Sequence, residues 1–362
     1  MGPLLPDDGP AGRRYVRRAR GIAVETVAFV LITALFPLLL AAALLVDLAL
    51  WLKRRKPWMA TRLLLFAWWF LAGEMLGITS LLVSWLTTGG PFVADHPRRR
   101  RWVYRTRIRW AGGHFGGVRV LFGLQLEVDG LEHGGPGPVI VFIRHASIID
   151  NAMPDAVIGK AHGIGLRFVL KRELEMIPTI DVGGRMVPTT FVRRASRDPE
   201  AELAQVRRLA VDLGPDEGIL IYPEGTRHTA AKLARAQATI AKRQPHVAPF
   251  ANRLRHVLPP RLGGPLALLE EADGHADAVF CGHVGLDGFE YISDIWSGGL
   301  VGTTVRVKLW RHPGSSIPEG DEARTAWLYA QWQILDDWIG EQRAQLGSDG
   351  LPPKAAAALA GG

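Results

Sequence analysis

The stretch TVAFVLITALFPLLLAAALLV, Thr26 to Val46, runs for 21 residues without a charge. Wound into a helix it is about 31 Å long, enough to cross the ~30 Å hydrocarbon layer of a bilayer. A second apolar stretch, Leu63 to Leu86, carries Trp68, Trp69 and Trp85 and is interrupted by Glu74. A chain with two such segments must either bury them as a core hairpin or hand them to a membrane, and their length favours the membrane. The first run is too long for the apolar stretch of a cleaved signal peptide, so an uncleaved two-helix anchor is expected over residues 21–90.

Charge supports that division. The net charge is +8 for 362 residues, but the part up to Trp110 carries +11 and the remainder −3. The basic clusters Arg13 to Arg20, Lys53 to Arg62 and Arg98 to Arg109 flank apolar stretches. That placement suits anionic lipid headgroups and argues against nucleic acid as the partner. If both helices cross, the N-terminus and the main domain share one side. Twelve flanking basic residues against five in the intervening loop then put that side in the cytoplasm. The loop KRRKPWMATR is itself basic, so a hairpin dipping into one leaflet satisfies the sequence equally. The single cysteine, Cys281, excludes an intrachain disulfide and fits a reducing compartment.

Beyond the apolar part, residues 91–137 form a basic interfacial connector. It includes DHPRRRRWVYRTRIRW, a flexible break at GGHFGG and a first strand, LQLEVDGLE. PVIVFIR reads as a fully buried strand, with Asn151 to Lys160 able to form a helix after it. LRFVLKREL, PTTFVRR and EGILIYPEG are further strands. Asp198-Pro199 opens a helix, Asp277 to Val284 and Thr303 to Trp310 read as strands, and Glu322 to Gln345 as a long helix. Strands alternating with helices predict an α/β fold with a mostly parallel central sheet flanked by helices, here over residues 138–345. Residues 1–20 form a basic N-terminal segment, and the tail 346–362, rich in Gly, Pro and Ala, is expected to be disordered.

In open sheets of this kind chemistry sits beyond the carboxyl ends of strands. Two polar clusters fall there: RHASIID after PVIVF, and PEGTR after GILIY. With His145 at a strand end and Asp150 in the next turn, the carboxylate can fix the imidazole tautomer and leave the other nitrogen as a general base. A surface histidine and a helix-capping aspartate would give the same letters. In PEGTR, Gly225 permits a tight turn, Thr226 offers a hydroxyl and Arg227 a planar fork for phosphate oxygens. Glu224 can orient that arginine or bind an acceptor hydroxyl. Arg194 and Lys171, also at strand ends, are further phosphate candidates. No GxSxG, GxxxxGK[ST], HExxH or CxxC occurs, so a hydrolase elbow, a P-loop and a zinc site lack their motifs. Cys281, inside an apolar strand, reads as packed rather than reactive.

Taken in order, these clusters resemble the glycerolipid acyltransferase family, which acylates glycerol-3-phosphate and lysophospholipids. Its H-x4-D motif matches His145 and Asp150, its strand ending in arginine matches FVRR with Arg194, and EGTR matches Glu224 to Arg227 in full. HVLPPRLGG, with Pro259, is similar to its apolar-proline element. KREL with Pro178 and LWRHPGSSIPEGDEARTAWLYAQWQILDDW are similar to the branch with 1-acylglycerol-3-phosphate and lysocardiolipin acyltransferases. Arg144 precedes the histidine where many members carry another residue, which is expected to bear on the acceptor. The resemblance implies transfer of an acyl group from acyl-CoA or acyl-carrier protein, as co-substrate, to a lysophospholipid hydroxyl. His145 and Asp150 would be catalytic, while Lys171, Arg194, Glu224, Gly225, Thr226 and Arg227 bind the acceptor. Neither metal nor tightly held cofactor is implied, and backbone amides near Asn151 are expected to hold the oxyanion. The resemblance also implies embedding in a membrane through N-terminal apolar helices, which with the basic-residue count above puts the catalytic domain of a membrane enzyme on the cytoplasmic face as an expectation. Acceptors such as lysocardiolipin or lysophosphatidylglycerol remain alternatives, as does a non-catalytic lipid-binding protein.

Overall fold

A computed structural model describes residues 4–5, 10–192, 198–289 and 291–346. The expected disordered tail, apart from Leu346, lies outside the described residues, as does Arg194.

Seven strands form one sheet: β1 (Gln125–Asp129), β2 (Val139–Ile143), β3 (Gly165–Lys171), β4 (Thr189–Val192), β5 (Glu217–Ile221), β6 (Asp277–Val284) and β7 (Thr304–His312). Their order across the sheet is β1-β7-β6-β2-β5-β3-β4. All pairs are parallel except β6 with β7. The mostly parallel sheet expected from the sequence is therefore present. β2 is central because none of its residues tolerates water: Val139 to Ile143 are each 0% exposed. Burying side chains of this size stabilises by about 1.5–3 kcal/mol each. Alternation sends Val139, Val141 and Ile143 into one core and Ile140 and Phe142 into the other.

Four long helices precede the sheet: α1 (Ala11–Ala34), α2 (Phe36–Arg54), α3 (Met59–Thr87) and α4 (Pro97–Phe122). The first core is closed by Phe115, Val118 and Phe122 of α4. The helix Asp321–Leu346 closes the second with Leu328, Trp332, Leu335 and Ile339.

The sequence expectations need three corrections here. The uncharged run Thr26 to Val46 is not one helix. It divides at Leu35 between α1 and α2, because Pro37 lacks an N–H and its ring crowds the preceding turn. Among the described residues, α2 and α3 are the two helices long and apolar enough to cross a membrane. GGHFGG is no flexible break but part of α4. Its last glycine admits one large ring: Trp69 Nε1 donates to Gly113 O at 3.0 Å, and a Cβ on Gly117 would stand 2.6 Å from that nitrogen. Finally, Asn151 to Lys160 is not an α-helix. A 3-10 turn, Ile149–Asn151, is followed by a π-helical turn, Asp155–Gly159.

Polar contacts lock the apolar helices together and onto the sheet domain. Asp47 of α2, 1% exposed, accepts from the amides of Ala60 and Thr61 at 2.9 and 2.8 Å, satisfying the first turn of α3. Glu74 of α3, 0% exposed, accepts from Trp110 Nε1 at 2.6 Å and from the amide of Thr179 at 3.2 Å. Arg17 of α1 forks onto Asp181 with both contacts at 2.9 Å and also reaches Glu175 at 3.1 Å. Thr179 and Asp181 lie on the helix Pro178–Gly183, in the connection from β3 to β4.

Candidate active site

Strand register assembles the site. Ile143 pairs with Cys281 and Phe142 with Ile221, so His145, just past β2, stands level with His283 on one side and Glu224 on the other. The chain then turns back: His145 Nδ1 meets Asp150 Oδ1 at 3.0 Å, while Asp150 Oδ2 accepts from the amides of Ala146 and Ser147 at 2.7 and 2.8 Å. This is the fold-back that the spacing predicted. Asp150 is fully buried, and burial by itself would raise its carboxyl. The adjoining His145 imidazole and its hydrogen bond, with His283 adding, hold it well below the usual carboxylate range. As a carboxylate it only accepts, so Nδ1 of His145 is the donor and Nε2 is left with a lone pair.

His283, Tyr222 and Arg144 enclose the pair, and the first two were not among the functional groups read from the sequence. His283 Nε2 stands 3.5 Å from Asp150 Oδ2 and 3.1 Å from Arg144 O. Facing two acceptors, that nitrogen carries the hydrogen. The Tyr222 ring lies 4.7 Å from the His145 ring, and its hydroxyl donates to Asp150 O at 3.2 Å. A histidine inside the otherwise apolar DAVFCGHV was the available signal for His283. Arg144 is 0% exposed and turned into the domain. It pairs with Asp287 and donates to His283 O at 2.7 Å, with Arg343 reaching the same carboxylate at 2.8 Å.

The PEGTR turn follows β5. Both oxygens of Glu224, 2% exposed, accept amides: His145 N at 3.0 Å and Leu258 N at 3.0 Å. The side chain thus ties the histidine to the HVLPPR segment and faces neither Arg227 nor solvent. Burial pushes its carboxyl up to about 8, against the pull of Arg144 and of the two amides. Gly225 has φ of +65°, and a Cβ there would stand 2.8 Å from Arg261 Nε. Only glycine fits both the left-handed backbone and the arginine beside it. Arg261, exposed, is joined to the turn by its amide, which donates to Pro223 O at 2.8 Å. Arg227 is half-buried, its guanidinium 6.0 Å from the Tyr291 ring, and among the described residues it meets no carboxylate. Thr226 is half-buried beside it. Lys171 ends β3, half-buried and level with Val192 of β4.

The amides beside His145 are engaged in holding the loop, and near Asn151 that of Ala152 donates to Ile149 O at 3.4 Å. His145 N goes to Glu224, Ala146 N and Ser147 N to Asp150, Ile148 N to Phe289 O, and Ile149 N to Ser147 Oγ. Those of Thr226 and Arg227, past the glycine, have no acceptor among the described residues.

The chain is similar to several known proteins. Residues 125–252 match the family model described as Acyltransferase. A mouse protein named 1-acyl-sn-glycerol-3-phosphate acyltransferase epsilon is 26% identical over 246 residues, covering 65% of this chain and 64% of the relative. An Arabidopsis thaliana protein named probable 1-acyl-sn-glycerol-3-phosphate acyltransferase 5 is 24% identical over 206 residues, 56% of this chain and 53% of its own. The chain therefore spans less than two thirds of the length of these curated relatives. The crystal structure of PlsC from Thermotoga maritima, the 1-acyl-sn-glycerophosphate acyltransferase, is similar at a TM-score of 0.48 and 15% identity. The match covers 90% of this chain and 97% of that one.

Proposed function

We propose that the chain is a member of the glycerolipid acyltransferase family, a reading that the family match over residues 125–252 and the two curated relatives support, and that it moves a fatty acyl group from a thioester to the free hydroxyl of a lysophospholipid. The observation that carries this reading is the His145–Asp150 pair at the carboxyl end of β2, its outer nitrogen left as a base. The acceptor most in keeping with the relatives' names is 1-acylglycerol-3-phosphate, giving phosphatidic acid. The donor is acyl-CoA or acyl-carrier protein.

In this mechanism His145 Nε2 takes the proton of the acceptor hydroxyl as that oxygen attacks the thioester carbonyl. The tetrahedral intermediate expels the thiolate, breaking the C–S bond, and the imidazolium returns the proton to sulfur. Asp150 keeps the imidazole in the required tautomer and stabilises its charged form. His145 is 4% exposed, so the reacting hydroxyl leaves most of its water behind. Glu224 is a positioning residue, fixing the backbone of His145 from across the sheet. Arg227 holds the acceptor phosphate, with Arg261 across Gly225, Lys171 one strand away, and Arg194 as a further candidate from the sequence. The amides of Thr226 and Arg227 serve either that phosphate or the oxyanion. The helices α1 to α3 keep the protein on the membrane that holds its acceptor.

The test is thiol release from an acyl-CoA by purified protein, with 1-acylglycerol-3-phosphate and then other lysolipids as acceptor, and His145→Ala alongside. Acceptor-dependent release lost in the variant is the expected result. Wild-type turnover by a folded His145→Ala protein would remove the proposed base.

A further inference from the structure

The segment 286–300, which leaves β6, is rooted in the domain by Leu286, Phe289, Ile295 and Leu300, all buried. Between these anchors it turns apolar side chains outward: Tyr291 is 63% exposed, Ile292 64% and Trp296 38%. Single exposed apolar residues are ordinary, but a contiguous group bordered by charge marks an interaction surface. Its position is specific. Phe289 O accepts from Ile148 N at 3.1 Å and Ser147 Oγ at 3.2 Å, so the segment is fastened to the loop that carries His145. Tyr291 lies beside Arg227.

The same segment also adjoins the apolar helices. Lys56, between α2 and α3, places its ammonium 4.0 Å from the centroid of Trp296, and Pro57 packs 3.0 Å from where a Cβ on Gly298 would stand. Trp51, Leu52 and Trp58 around this loop are themselves exposed, interleaved with Lys53, Arg54 and Arg55. Indole and phenol rings alternating with cations are the composition of a bilayer's headgroup layer.

We propose that Tyr291, Ile292 and Trp296 form a lip that enters an anionic phospholipid bilayer beside the active site, continuous with the loop joining α2 to α3. Lipid passes along this lip, its phosphate meeting Arg227 while its chain stays in apolar surroundings. The inference rests on the acyltransfer reading for its purpose, but the lip itself is tested without activity.

Cys281 is 1% exposed, so Ile292→Cys supplies the one accessible thiol for bimane. Ile334→Cys, 50% exposed on the helix covering the opposite face of the sheet, is the control. The full chain is reconstituted in phosphatidylglycerol–phosphatidylcholine vesicles with dibrominated acyl chains. Quenching at 292 with none at 334 is expected. Absence of quenching at 292 overturns the lip, and a response at 292 only on adding acyl-carrier protein replaces it with a donor-docking surface. A second reading uses Ile292→Asp, whose charge opposes interfacial insertion. Thiol release on vesicle-borne acceptor should fall about tenfold, while a dispersed short-chain acceptor is turned over as by wild type. Equal loss on both acceptors would make the residue structural and sink the proposal. If no acceptor supports turnover by wild type, acyl transfer fails as the function, and the quenching still decides the lip.

Discussion

At the scale of single residues, Asp150 is the pivot. It joins His145, two backbone amides and His283, so replacing it removes the orientation of the base without removing the base. Asp150→Asn is expected to lower acceptor-dependent thiol release at least about 10²-fold, the lower end of what a positioned general base contributes, in protein that still folds by circular dichroism. Its ionisation also sets an acid limit. The folded carboxyl is held below its unfolded value, so the stability it contributes is present above the ordinary range, near 4, and is lost as pH falls. Asp287, held low against burial by Arg144 and Arg343, acts with the same sign. Glu224 acts with the opposite sign: raised to about 8, it favours the fold at low pH and that contribution is lost as pH rises through about 8. Thermal unfolding followed across pH should therefore show a midpoint that declines on both sides, with Glu224→Gln flattening the alkaline side. A variant whose alkaline decline matched wild type would refute the assignment to Glu224. His145 and Asp150 were legible because both partners lie within six residues of sequence. His283, Tyr222 and the Arg144–Asp287 pair were not, since only strand register brings them to one level.

At the scale of elements, the strands were legible because burial on both faces requires uninterrupted apolar runs, as in PVIVFIR and EGILI. The α4 helix was not. Glycines at 112, 113, 116 and 117 read locally as a break, yet all four are helical: Gly117 leaves room for the Trp69 ring, while a Cβ on Gly112, Gly113 or Gly116 would meet nothing within 4 Å. The same logic governs how the apolar helices are held. Glu74 is the buried acceptor between α3, α4 and the helix Pro178–Gly183. Glu74→Ala leaves the Trp110 indole and the Thr179 amide without their partner, costing about 1–3 kcal/mol for each donor left unpaired. The loss should appear as faster amide exchange at residues 179–183, while a Glu74→Gln protein retains part of the protection. Unchanged exchange in Glu74→Ala would mean that apolar packing alone holds the helices to the domain.

At the scale of the whole molecule, the question is how α1 to α4 meet a bilayer. Helix α3 is apolar and long enough to cross one, but it is bound along its length to α4: Trp69 to Gly113, Glu74 to Trp110, Ser80 to Trp102, Thr88 to Arg99. Arg98, Arg101, Arg105 and Arg109 are exposed along α4 at steps of three and four, one helical face, and no carboxylate pairs with them among the described residues. Were α3 to stand across the membrane, α4 would stand with it, and the arginines nearest its middle would sit in hydrocarbon at about 2.5–3.5 kcal/mol each. Lying along the surface, α3 keeps its apolar side in lipid while the arginines reach headgroup phosphates. Both ends of the α1–α2 pair also touch the sheet domain, Arg17 at Asp181 and Lys56 near Trp296, as a unit resting on one surface requires. Tyr15→Cys, Lys53→Cys and Phe92→Cys place single accessible thiols in the first turns of α1, in the last turn of α2 and after α3. In sealed vesicles of one orientation all three should react with a membrane-impermeant maleimide from the side that also exposes the sheet domain. If the thiol at position 53 alone required permeabilised vesicles, the helices would cross, and α4 would need unseen partners for its arginines.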